Sequence, residues 1–392
     1  MSVRVATAPA APPDLLLPTY GPSSLGSVLP GVATALGVDP GPGVVPGDAV
    51  AAALGDVDRV CVVLVDGLGR RMLAERGGHA PFLRSHLPTA AVLEAGFPST
   101  TATSLTLLGT GRPPGETGML GYTVRDPAST EITNLITWGG SARPELWQRC
   151  PTLLERLEAA RVGVVSLGRE RFRDSGLTVA ALRGGRFVGA ETLADRVDVA
   201  LGLLRRGPAR LVYLYWGDVD AVGHQRGWGS WEWGDQVEAV DTELARLARG
   251  LPRRTAMLVT ADHGMVDVGA RDRIDVAATP GLREGVEVVA GEPRAVHVHC
   301  VAGAAEAVAR RWREVLGDAA WVLTRAEAVA VGLFGLLDPR HRDVVGDVVV
   351  AARGTTAVVD SRTQSPQSLA LVGMHGSLTP GEMLVPFVAV RG

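Results

Sequence analysis

The chain has 392 residues, 46% of them hydrophobic and 21% charged, a composition that suits one large globular domain or a core carrying an insertion. A formal net charge of -3 supplies no basic footprint for nucleic acid or an anionic membrane surface. The basic side chains are all Arg, and Cys61, Cys150 and Cys300 lie far apart without a C-x-x-C pair, which excludes a disulfide framework and a thiolate zinc site.

Residues 1–50, rich in Pro, Gly and Ala, read as an extended lead-in with one short helix. The opening MSVRVATAPAAPPDLLLPTYGPSS lacks the sustained apolar core of a secretory signal. No stretch approaches the roughly 18 apolar residues of a membrane helix, so a cytoplasmic location is the expectation. RVCVVLVDGLG, residues 59–69, is a continuous β-branched run ending in Asp-Gly, the pattern of a buried parallel strand with Asp66 at its carboxyl end. A helix is expected around 70–86 and a short strand near AAVLEAG. FPSTTATSLTLLGTG, residues 97–111, opens on a Ser/Thr cluster suited to a helix N-terminus.

Further alternation follows: a helix at 151–160, strand VGVVSL at 162–167, a helix near 190–205 and strand RLVYLYWGD at 210–218. A helix over 231–249 and strand TAMLVTADHG at 255–264 complete the series. Alternating strands and helices predict an α/β fold, a mostly parallel sheet covered by helices on both faces. From 270 to 370 the pattern changes to two short strands in VEVVAGEPRAVHVHC and an amphipathic helix in AAEAVARRWREVL, read as a smaller inserted α+β cap. Residues 51–269 and 371–392 then form the core, the chain returning through GMHGSLTPGEMLVPFVAV.

Asp66 in VDG, Thr101 in FPSTTATS, Asp220 and His224 in DAVGH, Asp262 and His263 in ADHG, and His375 in GMHG all fall where predicted elements end. Ligands of open α/β sheets gather at the carboxyl ends of strands, so these residues can converge. Carboxylates and imidazoles without thiolates suit hydrolytic Zn²⁺ or Mn²⁺.

The five motifs occur in the order seen in the alkaline phosphatase superfamily, and the chain most resembles its type I phosphodiesterase/nucleotide pyrophosphatase group over about residues 58–265 and 372–390. The resemblance implies an alkaline-phosphatase-like fold and two divalent ions, Zn²⁺ or alternatively Mn²⁺. One would be held by Asp220, His224 and His375, the other by Asp66, Asp262 and His263, with Thr101 Oγ as the latter ion's further ligand. The Gly before His224 is then expected to make a sharp turn that brings Asp220 and His224 to one ion. Thr101 would be the nucleophile, its hydroxyl pKa lowered by metal, forming a phosphothreonine that water hydrolyses. Thr100 is the neighbouring rival. A small-molecule phosphate ester is the implied partner, and oligomeric state is left open.

The sequence departs from the group's Thr-Phe-Pro-Asn at the nucleophile, reading Thr101-Ala102-Thr103-Ser104, so Ser104 is the expected phosphate-oxygen donor in place of Asn. Thr117 and Tyr122 replace a downstream His and Asn. These changes leave a phosphomonoesterase or phosphonate hydrolase, or an inactive phosphate-binding protein, as competing functions. No C-x-P-x-R segment supports a sulfatase, and a Thr in the attacking position disfavours a cofactor-independent phosphoglycerate mutase.

Other candidates read more plainly. Asp218 is expected beside the site rather than on an ion, and Trp228, Trp231 and Trp233 as packing of the following helix. His297 and His299 alternate along one strand and are expected on an open sheet face, while His79, His86 and His341 are expected at the surface. Arg112, Glu116 and Arg125 are placed near a substrate-facing loop.

Overall fold

A computed structural model describes residues 9–139 and 142–392. Its central sheet has seven strands in the order Ala91–Glu94, Leu384–Arg391, Thr255–Thr260, Arg59–Val65, Ala209–Trp216, Gly163–Gly168 and Arg186–Gly189. The five from Thr255–Thr260 onward run parallel, whereas Leu384–Arg391 is antiparallel to both its neighbours. The strand Arg59–Val65 is buried from Val60 to Val65, as its unbroken apolar run requires with a layer on each face.

Helices flank this sheet. Trp231–Arg249 places Trp233, Val237, Val240, Leu244 and Leu247 on one buried stripe, and Ser230 Oγ caps its first turn by accepting from the Trp233 N–H. Within the lead-in, the helix Val28–Ala35 buries Val28, Leu29, Val32 and Ala33 in the main core.

A second sheet lies between residues 286 and 352, four antiparallel strands in the order Val286–Glu292, Ala295–Cys300, Val348–Ala352 and Ala320–Thr324. The helix Ala305–Leu316 lays Val308, Ala309, Trp312 and Leu316 against Val296, Val298 and Val350, giving this unit a core of its own. Sequence patterning found only two of its four strands. VVVAA and AWVLT carry no alternation because they are almost wholly buried. His297 and His299 are likewise buried, 1% exposed each, rather than on an open face. His341, expected at the surface, is buried with Nδ1 3.1 Å from the Gly115 carbonyl.

The two units are joined by a charged clasp. Arg294, in the turn just before the cap strand Ala295–Cys300, donates Nε and Nη2 to the two carboxylate oxygens of Glu382 at 2.7 Å each, both side chains wholly buried.

Candidate active site

Three adjacent strands end in carboxylates. Arg59–Val65 leads into Asp66, Ala209–Trp216 into the helix carrying Asp220, and Thr255–Thr260 into Asp262 and His263. The registers Val65↔Trp216 and Leu64↔Thr260 bring those ends level, so the side chains meet at one edge of the sheet. His375 comes from the segment before the antiparallel strand Leu384–Arg391, whose amino end lies at that same edge.

Asp220 and His224 do not sit on a sharp turn. Asp218–Arg226 is a helix, and the two side chains project from one face one turn apart, with His224 Nε2 3.4 Å from Asp220 Oδ2. Gly223 serves packing instead: a Cβ there would come within 2.5 Å of Met265 Sδ. Gly67, at φ +71°, does use glycine's freedom, turning the chain after Asp66 where a Cβ would press on Asp220 at 2.9 Å.

Each imidazole is oriented by a backbone carbonyl. Nδ1 of His224 lies 2.7 Å from Gly373 O, that of His263 3.0 Å from Gly264 O, and that of His375 2.9 Å from Ser99 O. Carbonyls only accept, so Nδ1 carries the proton and Nε2 presents its lone pair to the site. His224 Nε2 and His375 Nε2 then face each other at 3.2 Å, acceptor to acceptor. Asp66 Oδ1, Asp220 Oδ1 and Asp262 Oδ2 are buried without a hydrogen-bond donor. Asp262 Oδ1 is satisfied by the Gly67 and His263 N–H groups at 3.1 Å, which turns Oδ2 toward His263 Nε2 at 3.4 Å.

So many converging acceptors with no donor form a cation-binding set. Two groups have atoms mutually within 4.8 Å, Asp220 with His224 and His375, and Asp66 with Asp220 and His263, so Asp220 lies between both. Burial, then repulsion from Asp262 and Asp220, raises the Asp66 carboxyl well above its usual range. Burial also raises Asp262 and drives His375 well below the ordinary imidazole value. Divalent cations are the charge that would reverse these penalties.

Thr101 is the first residue of the helix Thr101–Thr110, and its Oγ1 stands 3.2 Å from His263 Nε2. Thr100 caps that helix from an extended conformation and is 2% exposed. No side chain caps the first turn, leaving its N–H groups for a ligand's oxygens. Ser104 is wholly buried one turn further on, its Oγ unpartnered, and it does not line the cavity; the expected donor role is corrected on that placement.

Before the site opens a cavity of about 1220 Å³, walled by Thr101, Leu167, Phe172, Phe187, Tyr213, Tyr215 and residues 288–293 of the cap among others. Tyr215 and Glu292 were not singled out by sequence: the first donates its hydroxyl to Asp66, the second enters from the cap. Asp218 pairs with Arg169 at 2.7 Å, Arg112 with Glu116 at 2.8 Å and Arg125 with Glu287 at 3.1 Å. Trp233 is buried, Trp231 is exposed, and none of the three tryptophans lines the cavity.

The family model for type I phosphodiesterase/nucleotide pyrophosphatase matches residues 60–378, which include every candidate ligand. The chain belongs to that family. As a member it is a phosphoric ester hydrolase of the alkaline phosphatase superfamily. Solved structures share the fold of this phosphodiesterase-family chain at low identity. Murine ectonucleotide pyrophosphatase/phosphodiesterase 5 superposes with a TM-score of 0.68 at 19% identity, covering 85% of this chain and 88% of that one. An inactive variant of the murine protein, in complex with AMP, gives 0.67 at 18%, over 85% and 88%. Phosphonoacetate hydrolase from Sinorhizobium meliloti 1021, in complex with phosphonoformate, gives 0.65 at 21%, over 85% and 90%. Among the described residues of this family member, no helix is long and apolar enough to cross a membrane.

Proposed function

We propose that the chain hydrolyses phosphodiester or pyrophosphate bonds of nucleotide-type substrates through a phosphothreonine on Thr101. The observation that carries this reading is the position of Thr101 Oγ1, at a helix N-terminus and 3.2 Å from His263 Nε2, a member of one candidate ion group. Asp220, His224 and His375 would hold one divalent ion, and Asp66, Asp262 and His263 the other, with Thr101 Oγ as a further ligand. Such ions supply Lewis acidity that lowers a hydroxyl pKa and neutralises phosphoryl charge.

Thr101 Oγ forms the new bond to phosphorus as the ester oxygen departs on the opposite side. Water then cleaves the Thr101 phosphoester and restores the hydroxyl. The uncapped first-turn N–H groups bind non-bridging oxygens through both steps. Phe172, Phe187 and Leu167 give the departing group an apolar wall that excludes water.

The diester preference rests on charge. Among the described residues Arg171 is the one Arg lining the cavity, whose wall also includes Asp360. A singly charged diester needs fewer cations than a monoester dianion or a carboxylated phosphonate. The monoesterase and phosphonatase reading keeps one support, the shared fold with a phosphonoacetate hydrolase.

Bis-p-nitrophenyl phosphate and p-nitrophenyl phosphate, compared at equal metal loading, separate these readings; a strong preference for the second overturns the diester assignment. Thr101→Ala is expected to abolish turnover with both ions retained, and acid quenching of the wild type to trap phosphate on the peptide bearing Thr101. An unchanged rate in Thr101→Ala removes the covalent mechanism.

A further inference from the structure

The cap strand Val286–Glu292 ends in a carboxylate aimed into the hydrolytic site. Glu292 is 7% exposed and lines the main cavity. Its Oε2 accepts the Tyr122 N–H at 2.9 Å, while its Oε1 is buried without a partner. The surrounding backbone is shaped to this side chain. Gly376, next to His375, sits at φ +133°, and a Cβ there would strike Glu292 Cγ at 2.5 Å. Thr100, the residue before Thr101, lines the same cavity as the carboxyl. Glu292 is thus held among immediate neighbours of His375 and Thr101, with one oxygen left over. An unpartnered buried polar atom is costly unless a ligand satisfies it.

We propose that Glu292 reaches from the cap into the hydrolytic site and hydrogen-bonds, through Oε1, a non-bridging oxygen of the phosphoryl group on its way to Thr101. A phosphoryl oxygen offers only lone pairs, so the carboxyl must carry its proton and act as donor. The surroundings favour that form. Burial pushes Glu292 up to about 8, with the Glu382 carboxylate adding to the rise and the Tyr122 N–H and Thr100 opposing it. Arg294 is committed to Glu382 and gives Glu292 no counter-charge. Cations at the ligand cluster favour the ionised carboxyl, and a bound phosphoryl anion favours the neutral one. No proton is transferred: the bond positions and stabilises the phosphoryl oxygen, a task Ser104 cannot perform from its buried place.

This inference rests on the hydrolytic reading of the site, so its test has one arm independent of turnover. Glu292→Gln keeps a donor and removes the titration; Glu292→Ala removes the donor. With bis-p-nitrophenyl phosphate at pH 7 and full metal occupancy, Glu292→Ala is expected to lose roughly a hundredfold in kcat, as loss of one preorganised donor does. Glu292→Gln should stay within a few-fold of wild type and lack the alkaline decline that the wild type shows as Glu292 ionises. In the arm without turnover, inorganic phosphate bound to the metal-loaded protein should weaken about tenfold in Glu292→Ala and little in Glu292→Gln. Wild-type kcat and phosphate affinity in a folded, metal-replete Glu292→Ala overturn the proposal. A Gln variant as impaired as the Ala one, or one retaining the alkaline limb, also overturns it. If Glu292→Ala does not fold, the pH profile and phosphate affinity of Glu292→Gln decide alone. Loss of the hydrolytic reading shows separately, as an unaffected Thr101→Ala.

Discussion

Tyr215 donates its hydroxyl to Asp66 Oδ2 at 2.5 Å, leaving Asp66 Oδ1 as the oxygen that points at His263 Nε2, 3.5 Å away. One hydrogen bond therefore fixes which lone pair of Asp66 is offered to a cation. The tyrosine is half-buried, and the desolvation that raises its hydroxyl pKa well above normal keeps it a donor.

Replacing it should reveal that role. Tyr215→Phe keeps the ring's T-shaped contact with Phe172, whose centroid lies 6.0 Å away, and removes only the donor. Metal affinity, read by competition with a chromophoric chelator, should weaken roughly 10- to 100-fold, as for other residues that orient ligands. At saturating metal, kcat should largely recover. An unchanged affinity would mean that Asp66 needs no such orientation.

The clasp between the two sheets should matter more for stability than for chemistry. Glu382 accepts from Arg294 twice, from the Ser377 N–H at 2.9 Å and from the Thr379 hydroxyl at 2.5 Å, so its charge is fully compensated. Arg294→Met strands that carboxylate in the interior, with an expected loss of about 3–5 kcal/mol by urea unfolding. The double variant Arg294→Met, Glu382→Leu should recover much of it, because burying neither charge is often neutral. If the double variant is no more stable than the single one, stranded charge is not the cause.

The contrast between Asp66 and Glu292 says what a sequence can disclose here. Asp66, Asp262 and His263 follow buried strands whose apolar runs are unmistakable, and an open parallel sheet carries strand ends to one edge, so their meeting is legible. His375 was placed by motif order alone. Gly223 misled, since glycine before a histidine suggests a turn, whereas the chain there is helical and the glycine clears Met265. Ser104 was placed by spacing along a segment whose helical path then turns it into the core. Glu292 left no local signal: it meets Tyr122 across 170 residues of chain, and only the docking of the cap brings them together.

Removing the ions should expose the cost of the acceptor cluster. Stripped by a chelator, Asp66, Asp220 and Asp262 face one another with orphaned oxygens. Hydrolysis should cease and the melting temperature fall by several degrees, since ligands that bind only the folded state stabilise it by mass action, about 4 kcal/mol at a thousandfold excess over Kd. Zn²⁺ or Mn²⁺ should restore both quantities. A rate and melting point untouched at verified zero metal content would remove cations from the chemistry.

The buried histidines of the cap predict an acid-labile fold. His297 Nδ1 accepts the Gly346 N–H at 3.0 Å, and neither His297 Nε2 nor His299 Nε2 has a partner. Burial lowers His297 to about 3 and His299 to about 4, with Arg325 adding repulsion at both. The sign follows from linkage: an unfolded imidazole near 6.5 takes up a proton that the folded one refuses until about 4, so stability is full above 6.5 and falls as pH drops through that window. His299→Gln cannot gain charge and should flatten part of the slope. Urea midpoints of wild type and variant, both stripped of metal so that proton competition for ions is absent, measure the difference between pH 6.5 and 4. His375, also held neutral by burial, is common to both proteins and cancels in the comparison. Superimposable slopes would show that His299 already accepts its proton in the folded cap.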